Sequence, residues 1–175
     1  AHMGGGITVG AHRLGKCIDV NNGLDGDGPF SPERAGTLPA ADLVRLCFSG
    51  KWSESELLSR IAGQAGLVAW LGTSDVREVL SRIEAGDERA RLVLDAMIYS
   101  VAKSIGAQAV VLCGKVDAIL LTGGLAHADY ITSRLRERVS FIAPIHIYPG
   151  ENELEALAEN ALAVLRGERE VRTYV

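Results

Sequence analysis

The sequence predicts an α/β domain, and three stretches predict it. Near the start, Ile7, Val9 and Ala11 alternate with Thr8, Gly10 and His12, and Ile18 and Val20 resume that period after Arg13-Leu14-Gly15-Lys16. Alternation with period two marks a half-buried strand, and a glycine in the short connection supplies the positive φ of a tight hairpin. In the middle, apolar residues recur at helical spacing from Ala40 to about Leu112, interrupted by glycines and restarted by capping residues. At the end come the apolar run Asp117–Thr122, a helical stretch, Ile145-His146-Ile147-Tyr148 and a second helical stretch. Strand–helix–strand–helix order implies a parallel pair joined by a right-handed crossover. The expected architecture is a β-hairpin, a helical insert and a βαβα close on a mixed sheet, in one domain spanning residues 1–175.

The hairpin is entered through Gly4-Gly5-Gly6. Three consecutive glycines are poor strand formers, because they cost backbone entropy and have no side chain to pack. Their N–H groups, free of flanking Cβ atoms, can line up on phosphate oxygens. A plain glycine-rich turn is the alternative. The next stretch, Asn21 to Pro39, holds four glycines and three prolines and reads as a loop. Loops of that length inside a compact domain are usually functional. Asp25 and Asp27 begin a calcium-loop pattern that no closing glutamate completes.

Helices follow. Ala40–Cys47 places Leu43, Leu46 and Cys47 on one face and stops at Gly50. Ser53-x-x-Glu56 is a capping box for a helix bearing Leu57, Leu58, Ile61 and Ala65, ended by Gly66. Asp75, after Gly72-Thr73-Ser74, caps a helix with Val76, Val79, Leu80 and Ile83 that ends at Gly86. Asp87 caps the longest, from about Glu88 to about Leu112, with Leu94, Met97, Ile98, Val101 and Ile105 as its buried stripe. The last third carries a helix from about His127 to Val139 and a closing one from about Asn152 to Arg166, with Leu154, Leu157, Ala158, Ala161, Leu162 and Leu165 in register.

A net charge of −4 with dispersed Lys and Arg argues against nucleic acid as a partner. No apolar run is long enough to span a bilayer, and no signal peptide is visible, so neither a membrane nor secretion is expected. Cys17, Cys47 and Cys113 lack C-x-x-C spacing, which suits reduced, mostly buried thiols in a cytoplasmic protein.

Several residues carry a chemical and a plain reading side by side. Thr122-Gly123-Gly124 lies at the carboxyl end of a strand, where open α/β sheets bind ligands, although strand-to-helix turns use glycine anyway. Arg34, in the long loop, is either a surface partner of Glu33 or a planar fork for phosphoryl or carboxylate oxygens. His2, two residues before the glycine run, would be carried beside any phosphate held there. Glu151, Glu153 and Glu155 offset the dipole of the last helix, or hold Mg²⁺ through water. His12 and His146 read as ordinary sheet residues.

Taken together, these stretches resemble one family. His2-Met3-Gly4-Gly5-Gly6-Ile7-Thr8-Val9 is similar to the second phosphate-binding hairpin of the acetate and butyrate kinases, which belong to the sugar kinase, actin and heat-shock chaperone superfamily. The run Asp19-Val20-Asn21-Asn22-Gly23-Leu24-Asp25-Gly26-Asp27-Gly28-Pro29-Phe30-Ser31-Pro32-Glu33-Arg34-Ala35-Gly36-Thr37-Leu38-Pro39 resembles the butyrate branch. Thr73-Ser74-Asp75-Val76-Arg77 and Thr122-Gly123-Gly124-Leu125 resemble the family's two adenosine-contacting segments. The resemblance implies a ribonuclease H-like, actin-like ATPase domain: the C-terminal half of a two-domain acyl kinase, without the last strand before the hairpin and without the first domain. It implies the reaction of butyrate with ATP to give butyryl phosphate and ADP, with Mg²⁺, the isolated half binding nucleotide without turnover. An acetate, propionate or branched-chain acyl kinase, or a non-catalytic nucleotide-binding or dimerisation module, stays as an alternative. It further implies that Gly4, Gly5, Gly6 and Thr8 contact the nucleotide phosphates, that His2 stabilises the phosphoryl group in transit, and that Arg34 clamps it or the carboxylate. Asp75, Val76, Arg77, Gly123, Gly124 and Leu125 would form the adenosine pocket, and Glu153 would face Mg²⁺. Partners so implied are a short-chain carboxylate, the missing domain and a second copy in a homodimer. Two departures stand out: Gly5 replaces an asparagine of the acetate kinases, and Ala128 stands where they often carry another.

Overall fold

The computed structural model describes residues 1–150 and 153–171. Its centre is a four-stranded sheet in the order β2-β1-β5-β6, formed by β1 (His2–Met3), β2 (Ile7–Thr8), β5 (Ile119–Gly123) and β6 (Ile145–Pro149). A separate two-stranded sheet holds β3 (Gly10–Arg13) and β4 (Lys16–Val20). His2 pairs with Thr8 on one side and Thr122 on the other, so two residues of β1 tie the hairpin to the parallel strands. β5 and β6 run parallel, as expected, over five pairs from Ile119–Ile145 to Gly123–Pro149. On its other side, Gly123 lets β5 lie close against β1: its φ is +86°, and a Cβ there would run into the Met3 backbone.

The expected single hairpin is two. The glycine run is the loop of a first hairpin, β1–β2, and not the entry to the second. The second, β3–β4, turns through Leu14 and Gly15, both at positive φ (50° and 74°), the handedness that matches strand twist. Burial alternates as predicted over Ile7, Val9 and Ala11, but every residue of β4 is exposed, Ile18 and Val20 included. The reason is topological: β4 pairs only with β3, outside the main sheet.

The insert consists of α1 (Ala40–Cys47), α2 (Glu54–Ile61), α3 (Gly66–Leu71), α4 (Val76–Glu84) and α5 (Glu88–Val111). Both limbs of the Ser53–Glu56 capping box form, and Asp75 and Asp87 cap α4 and α5 through Arg77 and Ala90 amides. Gly66, expected to end a helix, begins one instead. The chain leaves α2 at Ala62 in extended conformation, and α3 is drawn back to the long loop by Leu67 N–H and Val68 N–H donating to the Ser31 and Pro32 carbonyls. After β5, a 3-10 turn (Gly124–His127) leads into α6 (Asp129–Val139), and α7 (Glu153–Leu165) follows β6.

The core lies between the sheet and α4, α5 and α6, where Leu94, Leu121 and Leu135 are fully buried. The predicted stripe of α5, Leu94 to Ile105, is wholly in it. Asp95 clamps α5 to α6 by accepting from the Tyr130 hydroxyl and pairing with Arg134, each at 3.0 Å. The cysteines depart from expectation: all three thiols are exposed, because Cys17 sits on the outlying hairpin, Cys47 ends a helix with no buried residue and Cys113 lies in the turn after α5. Among the described residues no helix is long and apolar enough to cross a membrane.

Candidate functional site

A cavity of about 400 Å³ opens where four distant stretches meet: Gly4 and Gly5 from the first hairpin, Pro32 and Glu33 from the long loop, Ser74 before α4, and Gly124 and Leu125 after β5. All four carry residues or motifs singled out in the sequence.

The glycine hairpin forms one wall. Its Gly4 amide is spent within the loop, on the Gly6 carbonyl at 2.9 Å. Among the described residues the Gly5 and Gly6 amides donate to no protein group. The Gly5 carbonyl is held from behind, accepting from the Ser31 hydroxyl (2.7 Å) and the Glu33 amide (3.2 Å). Ser31 is fully buried, and its hydroxyl also accepts from the Arg34 amide at 3.1 Å. The Gly5 carbonyl is thus satisfied by protein while, among the described residues, the Gly5 and Gly6 amides are left to a ligand or solvent.

The long loop is shaped from within by side chains. Asn21 accepts from the Val9 amide (2.7 Å) and donates to the Asp27 carbonyl (2.9 Å), joining the loop to the link between β2 and β3. Asp27 accepts from Thr37, Gly28 and Asn22, and the Thr37 hydroxyl leads in holding its carboxyl below the usual range. Asp25 accepts from the Asn22 side chain at 2.6 Å. These aspartates thus organise the loop itself.

Arg34 is half-buried and turned to the hairpin, not to Glu33. Its Nη1 donates to the Gly23 carbonyl at 2.5 Å, and the guanidinium lies so close over Gly6 that a Cβ there would collide with it. Gly6 must be glycine for this contact to exist. The Glu33 carboxylate instead reaches over Gly5, within 3.3 Å of where a Cβ would stand, on the lining of the cavity.

Three further expectations meet a more specific arrangement. His2 and Thr8 line a different cavity, behind the hairpin, where His2 Nδ1 lies 3.0 Å from the Thr122 hydroxyl. Asp75 and Arg77 are engaged with each other: Arg77 donates from its backbone, Nε and Nη2 at 2.9, 3.0 and 2.8 Å, and its guanidinium lowers the Asp75 pKa to about 2. Val76 is buried in the core, so Ser74 is what this segment brings to the cleft. Gly123 is buried beneath Gly124 and serves strand packing. The side chains of Glu151 and Glu153 lie outside the described residues; Glu153 opens α7.

Sequence reasoning missed the parts played by Ser31, Asn21 and Glu33. Ser31 had one local signal, a small polar residue beside a proline deep in a loop. Its partner Gly5 lies 26 positions away, which no local pattern reveals.

Comparison with known proteins supplies a frame for this cleft. The family model described as the acetokinase family matches residues 1–163. A probable butyrate kinase of Bacteroides thetaiotaomicron is 63% identical over 173 residues, covering 99% of this chain and 49% of the relative; one of Clostridium botulinum is 52% identical with the same coverage. The chain thus spans about half the length of these curated relatives. Among solved structures, an acetate kinase of Porphyromonas gingivalis matches with a TM-score of 0.84 at 23% identity, covering 94% of this chain and 48% of that one. A propionate kinase of Francisella tularensis matches at 0.77 with 24% identity, covering 87% and 46%. These two likenesses show a shared α/β fold.

Proposed function

This chain belongs to the acetokinase family, and from that premise we propose that it is the C-terminal, nucleotide-binding half of a butyrate kinase. The single observation that carries the reading is the cleft itself, which gathers Gly4, Gly5, Ser74, Gly124 and Leu125 from across the chain around amides left free to donate. The relatives described as probable butyrate kinases support the acyl class.

In this reading ATP lies with its polyphosphate over the glycine hairpin and its adenosine between Ser74 and Gly124-Leu125. Phosphoryl transfer needs in-line positioning and neutralisation of charge on the transferring group, and little covalent work from the protein. The Gly5 and Gly6 amides supply fixed donors. Arg34, anchored by one nitrogen on Gly23, keeps its remaining N–H groups to orient the phosphoryl group or the butyrate carboxylate. Mg²⁺ is commonly held by one or two carboxylates plus phosphates, and the cleft-lining Glu33 would offer one such carboxylate. Such an ion would supply positive charge to offset that of the phosphates. The acyl pocket belongs to the other half of the enzyme. The same reading places the enzyme in the cytoplasm as a homodimer assembled through this half.

Calorimetry with ATP and Mg²⁺, run beside a kinase assay with acetate, butyrate and isobutyrate on the full-length enzyme, tests the reading. The expected result is saturable ATP binding and the greatest turnover with butyrate. Absence of ATP binding would overturn the assignment, and a preference for another acid would move it to a sister activity.

A further inference from the structure

The backbone of Glu33 is pinned, while its carboxylate is left unused. The Glu33 amide donates to the Gly5 carbonyl (3.2 Å), and its own carbonyl accepts from the Gly63 and Ala65 amides (2.8 and 3.2 Å). The residue is exposed, and among the described residues its carboxylate enters no hydrogen bond and no ion pair. On an open surface that would call for no explanation. Here the carboxylate is the one charged side chain among the residues lining the cleft, above a hairpin whose Gly5 and Gly6 amides are left to a ligand or solvent.

Adjacent glycines of this hairpin thus carry opposite charges. Glu33 Oε2 and Oε1 lie 3.3 and 3.8 Å from the point where a Cβ of Gly5 would stand, and the Arg34 guanidinium lies over Gly6. A side chain at position 5 would press on the carboxylate, so Gly5 leaves it room. Bare amides and a guanidinium attract an anion, whereas a carboxylate beside them repels it. A site that had only to hold phosphate would bind it more tightly without Glu33. A repulsive group in a binding site refuses one ligand more than another. The ligands separated by such a charge are one polyphosphate with and without a divalent cation. The cation cancels part of the negative charge, and a carboxylate is the kind of oxygen donor that hard cations take.

We propose that Glu33 is a specificity-determining residue, which admits the nucleotide polyphosphate as its complex with a divalent cation and refuses the metal-free form. The inference rests on the reading that the glycine hairpin holds the polyphosphate of ATP. It deepens that reading by assigning the choice between the two forms to one side chain of this half.

Calorimetry on the full-length protein and its Glu33→Gln variant, with ATP in excess Mg²⁺ and with ATP in EDTA, tests this. Glutamine keeps the shape and removes the charge, and no contact to a described residue is lost with it. The wild type should bind the Mg²⁺ complex at least about fivefold more tightly than metal-free ATP. The variant should narrow that ratio by about fivefold, chiefly by binding metal-free ATP more tightly. An unchanged ratio overturns the proposal, as does equal weakening of both forms, the result of a purely structural role. Adenosine, which has no phosphate, should bind wild type and variant alike; a changed adenosine affinity would place Glu33 at the nucleoside and overturn the proposal too. Failure of the wild type to bind ATP in either form would remove the kinase reading and this inference with it, whereas binding with an unaltered ratio removes this inference alone.

Discussion

Around α5 the chain is ordered by apolar burial, whereas around the glycine hairpin it is ordered by polar latches. Leu94, Met97, Ile98 and Val101 sit in the core with almost no exposed surface, and the helix needs only its Asp87 cap and the Asp95 clamp besides. The hairpin cannot be held that way, because a wall that offers amides to a ligand must remain open to solvent. Its shape is set instead from behind, by the Ser31 hydroxyl on Gly5, the Asn21 amide across the loop and the Arg34 guanidinium on Gly23. On the proposed reading, a binding surface made of backbone would thus depend on side chains such as Ser31 and Asn21 that do not themselves meet the ligand.

Four experiments break or sharpen this contrast. The largest stability effect belongs to the burial side: Leu94→Ala should cost about 2–5 kcal/mol in urea unfolding, with little change in ATP affinity among molecules that remain folded. The largest functional effect belongs to the latch side: Arg34→Ala in the full-length enzyme should lower kcat ~10²–10³-fold. Retention of more than half the turnover would remove Arg34 from the proposed role. Ser31→Ala leaves the Gly5 carbonyl and Arg34 amide without their shared hydroxyl, so stability should drop by about 1–3 kcal/mol. It should also weaken ATP binding, which Leu94→Ala should not; equal effects on both would erase the distinction between the regions. The smallest effect is acid dependence at Asp75. Its pKa is depressed in the folded state from 3.8 to about 2, so the Asp75–Arg77 contribution is present above pH 4 and is lost as pH falls toward 2. Asp75→Asn should flatten that part of the Tm-against-pH curve; an unaltered slope would show the pair contributes nothing, as exposed ion pairs often do.

Local chemistry was legible, and distant pairing was not. Ser53, Asp75 and Asp87 announce their helices because a cap acts within three residues. The apolar stripe of α5 announces its buried face for the same reason. Gly66 misled because a glycine ends or begins a helix with equal local sense, and what decided it was the tie of Leu67 and Val68 to carbonyls 36 positions back. The thiols misled because burial follows from what packs over a strand or helix, and neither β4 nor α1 is covered. At the cleft, the glycine run and Gly124-Leu125 were visible as motifs. The separation of Arg34 from Glu33, one turned to Gly6 and the other to Gly5, was not, since it depends on how the loop folds over the hairpin.

The anchorage of Arg34 has one more consequence. With Nη1 held on the Gly23 carbonyl and the guanidinium lying over Gly6, the side chain is already placed before any ligand arrives. In the proposed role its remaining N–H groups would then meet an anion with little rotamer entropy left to lose at the binding step.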